Sequence, residues 1–411
     1  MKFVGKETTP SRVPGMPVIK VIGLGGGGGN AVDYMVRSDV KGVEFICANT
    51  DAQALANSSV ATCIQIGAGG LGAGADPERG RQAAKDDIDQ IKEQLKDTDM
   101  VFITAGMGGG TGTGSAPVVA QAAREMGILT VGVVSKPFSF ERRNKTADAG
   151  IEELAQHVDS LITVPNDKLL KVLGRDFVLA KAFDYANEVL HGAVQGISEL
   201  VTRPGMINVD FEDLRTVMGE RGMAMMGVGH ATGEERAIKA AQKAIANPLL
   251  EDICVSGARG LLVNITSGLD FTLGEFNEVG DVIDTVAAPD ARVIIGTSVD
   301  ESMTDEIRVT VVATGLSEMA SGKPELVKPN LHAVQANKAE QTVTAEVQGQ
   351  SKLQTAPTAT PAPVTEMKQE ELITSEPEVV RPKMVVNGGS VGTMSNSSYL
   401  DIPAFLRRQA D

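Results

Sequence analysis

Residues 106–114 read Gly106-Met107-Gly108-Gly109-Gly110-Thr111-Gly112-Thr113-Gly114, with five glycines in the last seven positions. They stand between the strand-like run Met100-Val101-Phe102-Ile103-Thr104 and the helix-like run Ser115-Ala116-Pro117-Val118-Val119-Ala120. A strand, a glycine turn and a helix start describe an anion cradle. Without a Cβ, main-chain N–H groups approach a phosphate closely, and the helix N-terminus favours its charge. Thr111 and Thr113 add hydroxyl donors. A flexible glycine linker would have polar, serine-mixed flanks, whereas this tract is bounded by apolar segments. The P-loop signature G-x-x-x-x-G-K-[ST] does not apply, because no lysine follows; the nearest Gly-Lys pair, Gly322-Lys323, runs into Pro324.

The cradle belongs to an alternation of strands and helices. Strand-like runs start at Val18, Val43, Met100, Leu129 and Leu161, with charged helical patterns such as 77–96 between them. Such units imply an α/β fold, a doubly wound parallel sheet with ligands at the carboxyl ends of its strands. A long helix is expected over about 177–202, where Leu179, Phe183, Ala186, Leu190, Val194 and Ile197 recur every three or four residues; Pro204-Gly205 ends it. Helices near Phe211 and Glu234 and strands at 260–265, 291–296 and 307–312 then suggest a second, smaller α+β domain. The expected division is a flexible N-terminus (1–17), a nucleotide-binding domain (18–176), a central helix (177–205), an α+β domain (206–316), a disordered linker (317–398) and a docking peptide (399–411).

The linker expectation rests on composition. From 317 to 398 there is no aromatic residue, and Pro357, Pro361, Pro363, Pro377 and Pro382 interrupt a polar run. Such a stretch buries too little apolar area to offset its ordering entropy, and would span on the order of 50 Å. Tyr399-Leu400-Asp401-Ile402-Pro403-Ala404-Phe405-Leu406 restores apolar character and reads as a partner-binding peptide. The net charge of −15, from 53 acidic and 38 basic residues, argues against a nucleic-acid partner. Cys47, Cys63 and Cys254 are far apart in sequence and lack C-x-x-C spacing, as buried thiols of a reducing compartment would be. No apolar run reaches about 18 residues, so a cytoplasmic chain without direct membrane insertion is expected.

A second glycine tract, Gly23-Leu24-Gly25-Gly26-Gly27-Gly28-Gly29-Asn30, follows the first strand. It satisfies G-x-G-x-x-G, and Asp51 after the next strand suits the ribose acid of a dinucleotide site, so an NAD-binding Rossmann-type oxidoreductase is the alternative reading. A Rossmann half has one pyrophosphate loop, however. Two cradles converging on one crevice suit a single triphosphate.

With both glycine tracts, Asn49-Thr50-Asp51, Asn208-Val209-Asp210 and the terminal peptide in order, the chain resembles the FtsZ family of bacterial tubulin-like division GTPases. The likeness runs from about Val18 to Leu316 and resumes at Leu400. It implies GTP/GDP as ligand, with Gly26, Gly27, Gly28, Gly29, Asn30, Gly109, Gly110, Thr111, Gly112 and Thr113 on the phosphates. Gly72, Ala73 and Gly74 would lie near the γ-phosphate, Asn49 and Asp51 along the pocket, and Glu141 at the ribose. Phe183 would stack on the base and Asn187 bond its edge, although an aromatic on a helix stripe is otherwise plain core. Asp210 and Asp213 by themselves read as an N-cap and an acidic N3 residue. The resemblance instead makes the Asn208–Asp213 segment catalytic: it would insert against the next subunit's nucleotide in a head-to-tail homopolymer and polarise the attacking water.

Two departures from the family pattern are visible. Several residues common before Gly-Leu-Gly-Ala-Gly are missing between Gly69 and Gly70, and Arg142 stands where Gly follows Glu141. The usual arginine position holds Lys145, so Arg143 or Lys145 supplies the cation. Mg²⁺ is expected through phosphates and water, with no protein metal cluster. The resemblance also implies a place in the division ring at mid-cell and recruitment, through residues 400–406, of membrane-tethering proteins resembling FtsA and ZipA.

Overall fold

The computed structural model describes residues 16–173, 177–203, 205–220, 222–250 and 258–316. The expectations for most of 1–17, for 317–398 and for 399–411 lie outside the described residues, as does Cys254.

The first unit alternates as expected: β1 (Ile19–Leu24), α1 (Gly25–Arg37), β2 (Val43–Asn49), α2 (Ala52–Ala56), β3 (Thr62–Gln65), α3 (Pro77–Asp86), α4 (Ile88–Gln94), β4 (Met100–Gly106), α5 (Thr111–Glu125), β5 (Leu129–Lys136), α6 (Asn144–Ala155), β6 (Ser160–Pro165) and α7 (Asn166–Leu173). The six strands run parallel in the order β3-β2-β1-β4-β5-β6. β1, apart from Lys20, and β4, apart from Thr104, read as near-continuous apolar runs because helices cover both faces of the sheet. One face packs Val21, Phe102 and Val131 towards α1 and α8, and the other packs Ile22, Ile103 and Val134 towards α3 and α5.

The rest comprises α8 (Leu179–Thr202), α9 (Phe211–Met218), β7 (Met223–Thr232), α10 (Arg236–Ile245), β8 (Gly260–Ser267), α11 (Leu273–Asp284), β9 (Arg292–Val299) and β10 (Glu306–Leu316). Its strands continue the same sheet as β7-β10-β8-β9, joined to the first six through Leu161↔Met223 and Ile162↔Ala224. A separate core lies under α10 and α11, with Ala237, Ala241, Val263, Val279 and Val309.

Three local expectations change. The helix read over 77–96 is two helices, because Asp87 leaves helical geometry (φ −114°, ψ 19°) and its carboxylate accepts the Gly67 N–H at 2.7 Å. β3 is a four-residue strand too short to stand out. β7, Met-Ala-Met-Met-Gly-Val-Gly-His-Ala-Thr, has little β-branched content and is a strand because β10 pairs along it.

α8 fixes the geometry that matters for function. Near its start, Phe183 meets Phe138, two residues beyond the carboxyl end of β5. Near its end, Thr202 lies against Gly42, the residue before β2; a Cβ on Gly42 would come within 2.7 Å of Thr202 Cβ. The helix therefore runs antiparallel to the strands, from one pole of the sheet to the other. Phe183 and Thr202 are 19 residues apart, or about 28 Å at 1.5 Å per residue. The buried Glu199 carboxylate anchors it to the second unit, accepting from Arg308 Nη2 at 2.8 Å and Thr266 Oγ1 at 3.1 Å.

Candidate functional site

β1 and β4 are neighbours in register through Leu24 and Ala105, so the helices that follow them start side by side. α1 begins at Gly25, which puts the tract 25–29 in its opening turns rather than in a loop, and α5 begins at Thr111 rather than at Ser115. Neither helix has a side-chain cap. Their first-turn N–H groups and positive dipole ends meet at the carboxyl edge of the sheet.

The glycines allow that meeting. A Cβ on Gly25 would come within 2.7 Å of the Gly112 nitrogen, on Gly27 within 2.9 Å of Gly106 Cα, and on Gly28 within 2.3 Å of the Thr104 carbonyl oxygen. Each is a distance that real side chains do not reach, so the two tracts touch backbone to backbone. Gly26 and Gly109 differ: a Cβ on either would meet nothing within 4 Å. These two positions face open space.

The third wall is the segment 70–76. Gly72 and Gly74 adopt left-handed backbone (φ 82° and 64°) that a side chain would strain. Ala73 packs against Gly110, whose own Cβ would lie 2.9 Å from it. The Gly72 N–H donates to the Thr50 carbonyl at 3.1 Å, and Thr50 and Thr111 share a hydroxyl hydrogen bond of 2.6 Å. Thr113 Oγ1 accepts the Gly108 N–H at 2.8 Å. Both threonines expected as donors are thus already engaged in shaping the turn, Thr113 keeping its own O–H to donate. Asn49 is buried and its Oδ1 accepts the Asp51 N–H. Asp51 caps α2, accepting from Gln53 and Ala54 N–H. Asn30 is exposed on α1.

The chain after β5 closes the other side. Glu141 Oε1 accepts the Phe138 N–H at 2.9 Å and Oε2 pairs with Arg143 Nη2 at 2.5 Å. Arg143 borders the cradle, since a Cβ on Gly108 would lie 3.0 Å from Arg143 Cβ. Lys145 is exposed in the first turn of α6 with no ion-pair partner among the described residues. Phe183 is half-buried; it meets the Phe138 ring edge to face at 5.3 Å, and Phe138 stacks on Phe140 at 5.1 Å. One turn on, Asn187 is half-buried and its side chain makes no hydrogen bond among the described residues. Two structural members were not singled out in the sequence: Thr50, between the chosen Asn49 and Asp51, and Phe138, which seats Phe183.

Asn208, Asp210 and Asp213 lie at the opposite pole. The segment after α8 is pinned to β9, with Ile207 N–H donating to Thr297 Oγ1 at 2.9 Å and Thr297 N–H to the Ile207 carbonyl at 3.0 Å. Val209 is buried beside Gly296 and Leu200. Asn208 Oδ1 accepts the Gly205 N–H, and Asp210 caps α9 by accepting the Asp213 N–H at 2.7 Å. The capping role is therefore real, and all three side chains remain exposed. No group of three or more His, Cys, Asp or Glu among the described residues is placed to hold a metal ion.

Comparison with known proteins accords with this geometry. A family model for the GTPase domain of the Tubulin/FtsZ family matches residues 18–174, and one for the C-terminal domain of the FtsZ family matches 222–317. The cell division protein FtsZ of Pseudomonas putida is 53% identical, covering 97% of this chain and 98% of its own. That of Coxiella burnetii is 58% identical over 77% of this chain and 82% of its own. Among solved structures, an empty FtsZ dimer from M. jannaschii superposes with a TM-score of 0.69 at 42% identity, covering 72% of this chain and 88% of that one. The dinucleotide oxidoreductase reading finds no support in these matches.

Proposed function

The chain belongs to the FtsZ branch of the tubulin/FtsZ family of GTPases, and from that premise we propose that its two poles are the two halves of one active site, joined only when subunits stack head to tail. The observation that carries the proposal is the course of α8. The glycine cradle lies at its start and Asp210 follows its end, roughly 28 Å along the helix axis. One chain cannot bring these groups together. A head-to-tail stack brings the lower pole of each subunit onto the upper pole of the next, and such heterologous contacts generate open filaments.

In this reading the N–H groups of Gly26, Gly27, Gly28, Gly29 and Asn30 and those of Gly109 to Thr113 bind the triphosphate. Gly72, Ala73 and Gly74 contact the γ-phosphate, while Asn49 and Asp51 line the pocket. Glu141 and Arg143 act as a pair at the ribose, in preference to Lys145, because their ion pair borders Gly108. Phe183 offers a half-exposed ring face to guanine, and Asn187 an amide able to accept from its N–H groups and donate to its O6. Asp210 and Asp213 of the next subunit, with Asn208, polarise the water for in-line attack at the γ-phosphorus. Mg²⁺ would be held by phosphate oxygens and water, since Asp51 is committed to capping α2 and the described residues hold no cluster of three or more His, Cys, Asp or Glu placed for a metal. No described helix is long and apolar enough to cross a membrane. Attachment at a mid-cell ring would pass through Leu400 to Leu406 and membrane-tethering partners resembling FtsA and ZipA.

The test is GTP turnover per subunit against protein concentration. A steep rise above a threshold, coincident with light scattering, is expected. A rate per subunit that does not change with concentration would refute the shared site.

A further inference from the structure

Cys47 and Cys63, widely separated in sequence, are brought opposite each other in register on the neighbouring parallel strands β2 and β3. Strands in a sheet lie about 4.8 Å apart, inside the Cα separation of about 4.4–6.8 Å that a disulfide spans. Both thiols are reduced in this structure. Cys47 is buried beneath α1, whereas Cys63 is half-buried on β3, the edge strand of the sheet. The Cys63 Sγ donates to the Val60 carbonyl at 3.4 Å, and its thiol is lowered from its ordinary range by its neighbour Cys47 and by the Ser58 hydroxyl, against the opposing effects of burial and the Asp33 charge. Cys47 is raised by the same contact and by its burial. A half-buried, more acidic thiol on an edge strand beside a fully buried partner is the arrangement of an attacking and a resolving cysteine.

The pair also touches the cradle. A Cβ on Gly29 would come within 3.2 Å of Cys47 Sγ, and Cys47 lies two residues before Asn49 on the same strand. Movement of that sulfur is felt directly by the second turn of α1.

We propose that Cys63 and Cys47 form a peroxide-sensitive dithiol site whose oxidation weakens the glycine cradle's hold on its ligand. The Cys63 thiolate attacks a hydroperoxide, forming an S–O bond, breaking the O–O bond and releasing hydroxide (or alkoxide). The Cys47 sulfur then attacks that sulfenic acid, forming the disulfide, and the S–OH oxygen leaves as water with the Cys47 proton. The hydroperoxide is the two-electron oxidant. The effect on ligand rests on the GTP reading above; disulfide formation does not.

The experiment treats the full chain with hydrogen peroxide and follows it by differential alkylation and peptide mass mapping. A peptide pair joined through Cys47 and Cys63 is expected, reversed by dithiothreitol and absent in Cys63→Ser and Cys63→Ala, with Cys254 in the wild type as the internal reference. If Cys47 and Cys63 stay alkylatable under peroxide while Cys254 reacts, the site is refuted. GTP binding is measured on the same samples: loss on oxidation and recovery on reduction, confined to proteins with both cysteines, are expected. A disulfide that forms without changing GTP affinity refutes the coupling. Reduced protein that binds no GTP refutes the nucleotide reading instead.

Discussion

Gly26→Ala and Gly28→Ala, two residues apart in one helix, separate the cradle's role in folding from its role in binding. At Gly28 a Cβ would sit 2.3 Å from the Thr104 carbonyl oxygen of β4, a backbone atom that cannot rotate away. α1 must lift from the sheet, an overpacking cost of about 1–3 kcal/mol. At Gly26 a Cβ meets nothing within 4 Å and the backbone is not left-handed. Alanine there restricts the unfolded chain at a backbone it can adopt, a gain of about 0.4–1 kcal/mol, raising Tm by about 2 °C for a domain of this size. The new methyl occupies the open space from which a phosphate approaches the α1 N–H groups. Losing one charge-assisted hydrogen bond costs about 1.5–3 kcal/mol, which is roughly 10- to 150-fold in affinity. The assay is thermal unfolding of nucleotide-free protein paired with GTP titration. Gly26→Ala should unfold at or above the wild-type temperature yet bind GTP at least roughly tenfold more weakly; Gly28→Ala should lose several degrees before any ligand is added. Wild-type affinity in Gly26→Ala would refute the assignment of this surface to phosphate, and equal destabilisation of both variants would refute the packing argument.

Two further outcomes test other parts of the molecule. Asp213→Ala keeps the α9 cap, because only the Asp213 main chain takes part in it, so it should retain stability and GTP binding while hydrolysis is largely lost. Asp210→Ala should also lose about 1 kcal/mol of helix capping, whereas Asp210→Asn keeps the cap and loses only turnover; normal hydrolysis in Asp213→Ala would contradict the role. His191 is pushed down to about 4 by burial and then by the Arg308 charge. The unfolded chain binds this proton near pH 6.5 and the native state only near 4, so the contribution is complete above about 6.5 and falls by up to about 3 kcal/mol on acidification between those values. His191→Gln should flatten urea-derived stability over that window; an unchanged slope would refute the burial argument.

What the sequence determined by itself was local. Glycine tracts placed between an apolar strand and a helix disclose a close backbone approach at a helix start, because the absence of a Cβ and the presence of a helix start are properties of adjacent residues. The three-and-four spacing of Leu190, Val194 and Ile197 disclosed α8 for the same reason, and all three are buried. Contacts between distant segments were decided only by tertiary structure. β7 became a strand because β10 pairs along it, not through the propensity of its Met and Gly residues. Cys47 and Cys63 look unrelated in the chain, and a parallel register makes them neighbours. The glycines of one pole stood out in the residues themselves, whereas Asn208, Asp210 and Asp213 at the other were marked only by the family resemblance; by themselves Asp210 and Asp213 read as the start of a capped helix, and that much was legible. That they lie at opposite ends of the sheet was not, since it depends on Thr202 packing against Gly42 and Phe183 against Phe138. The sequence supplies the glycine tracts and the Asn208–Asp213 segment. The direction in which α8 crosses the sheet decides that one chain holds them apart.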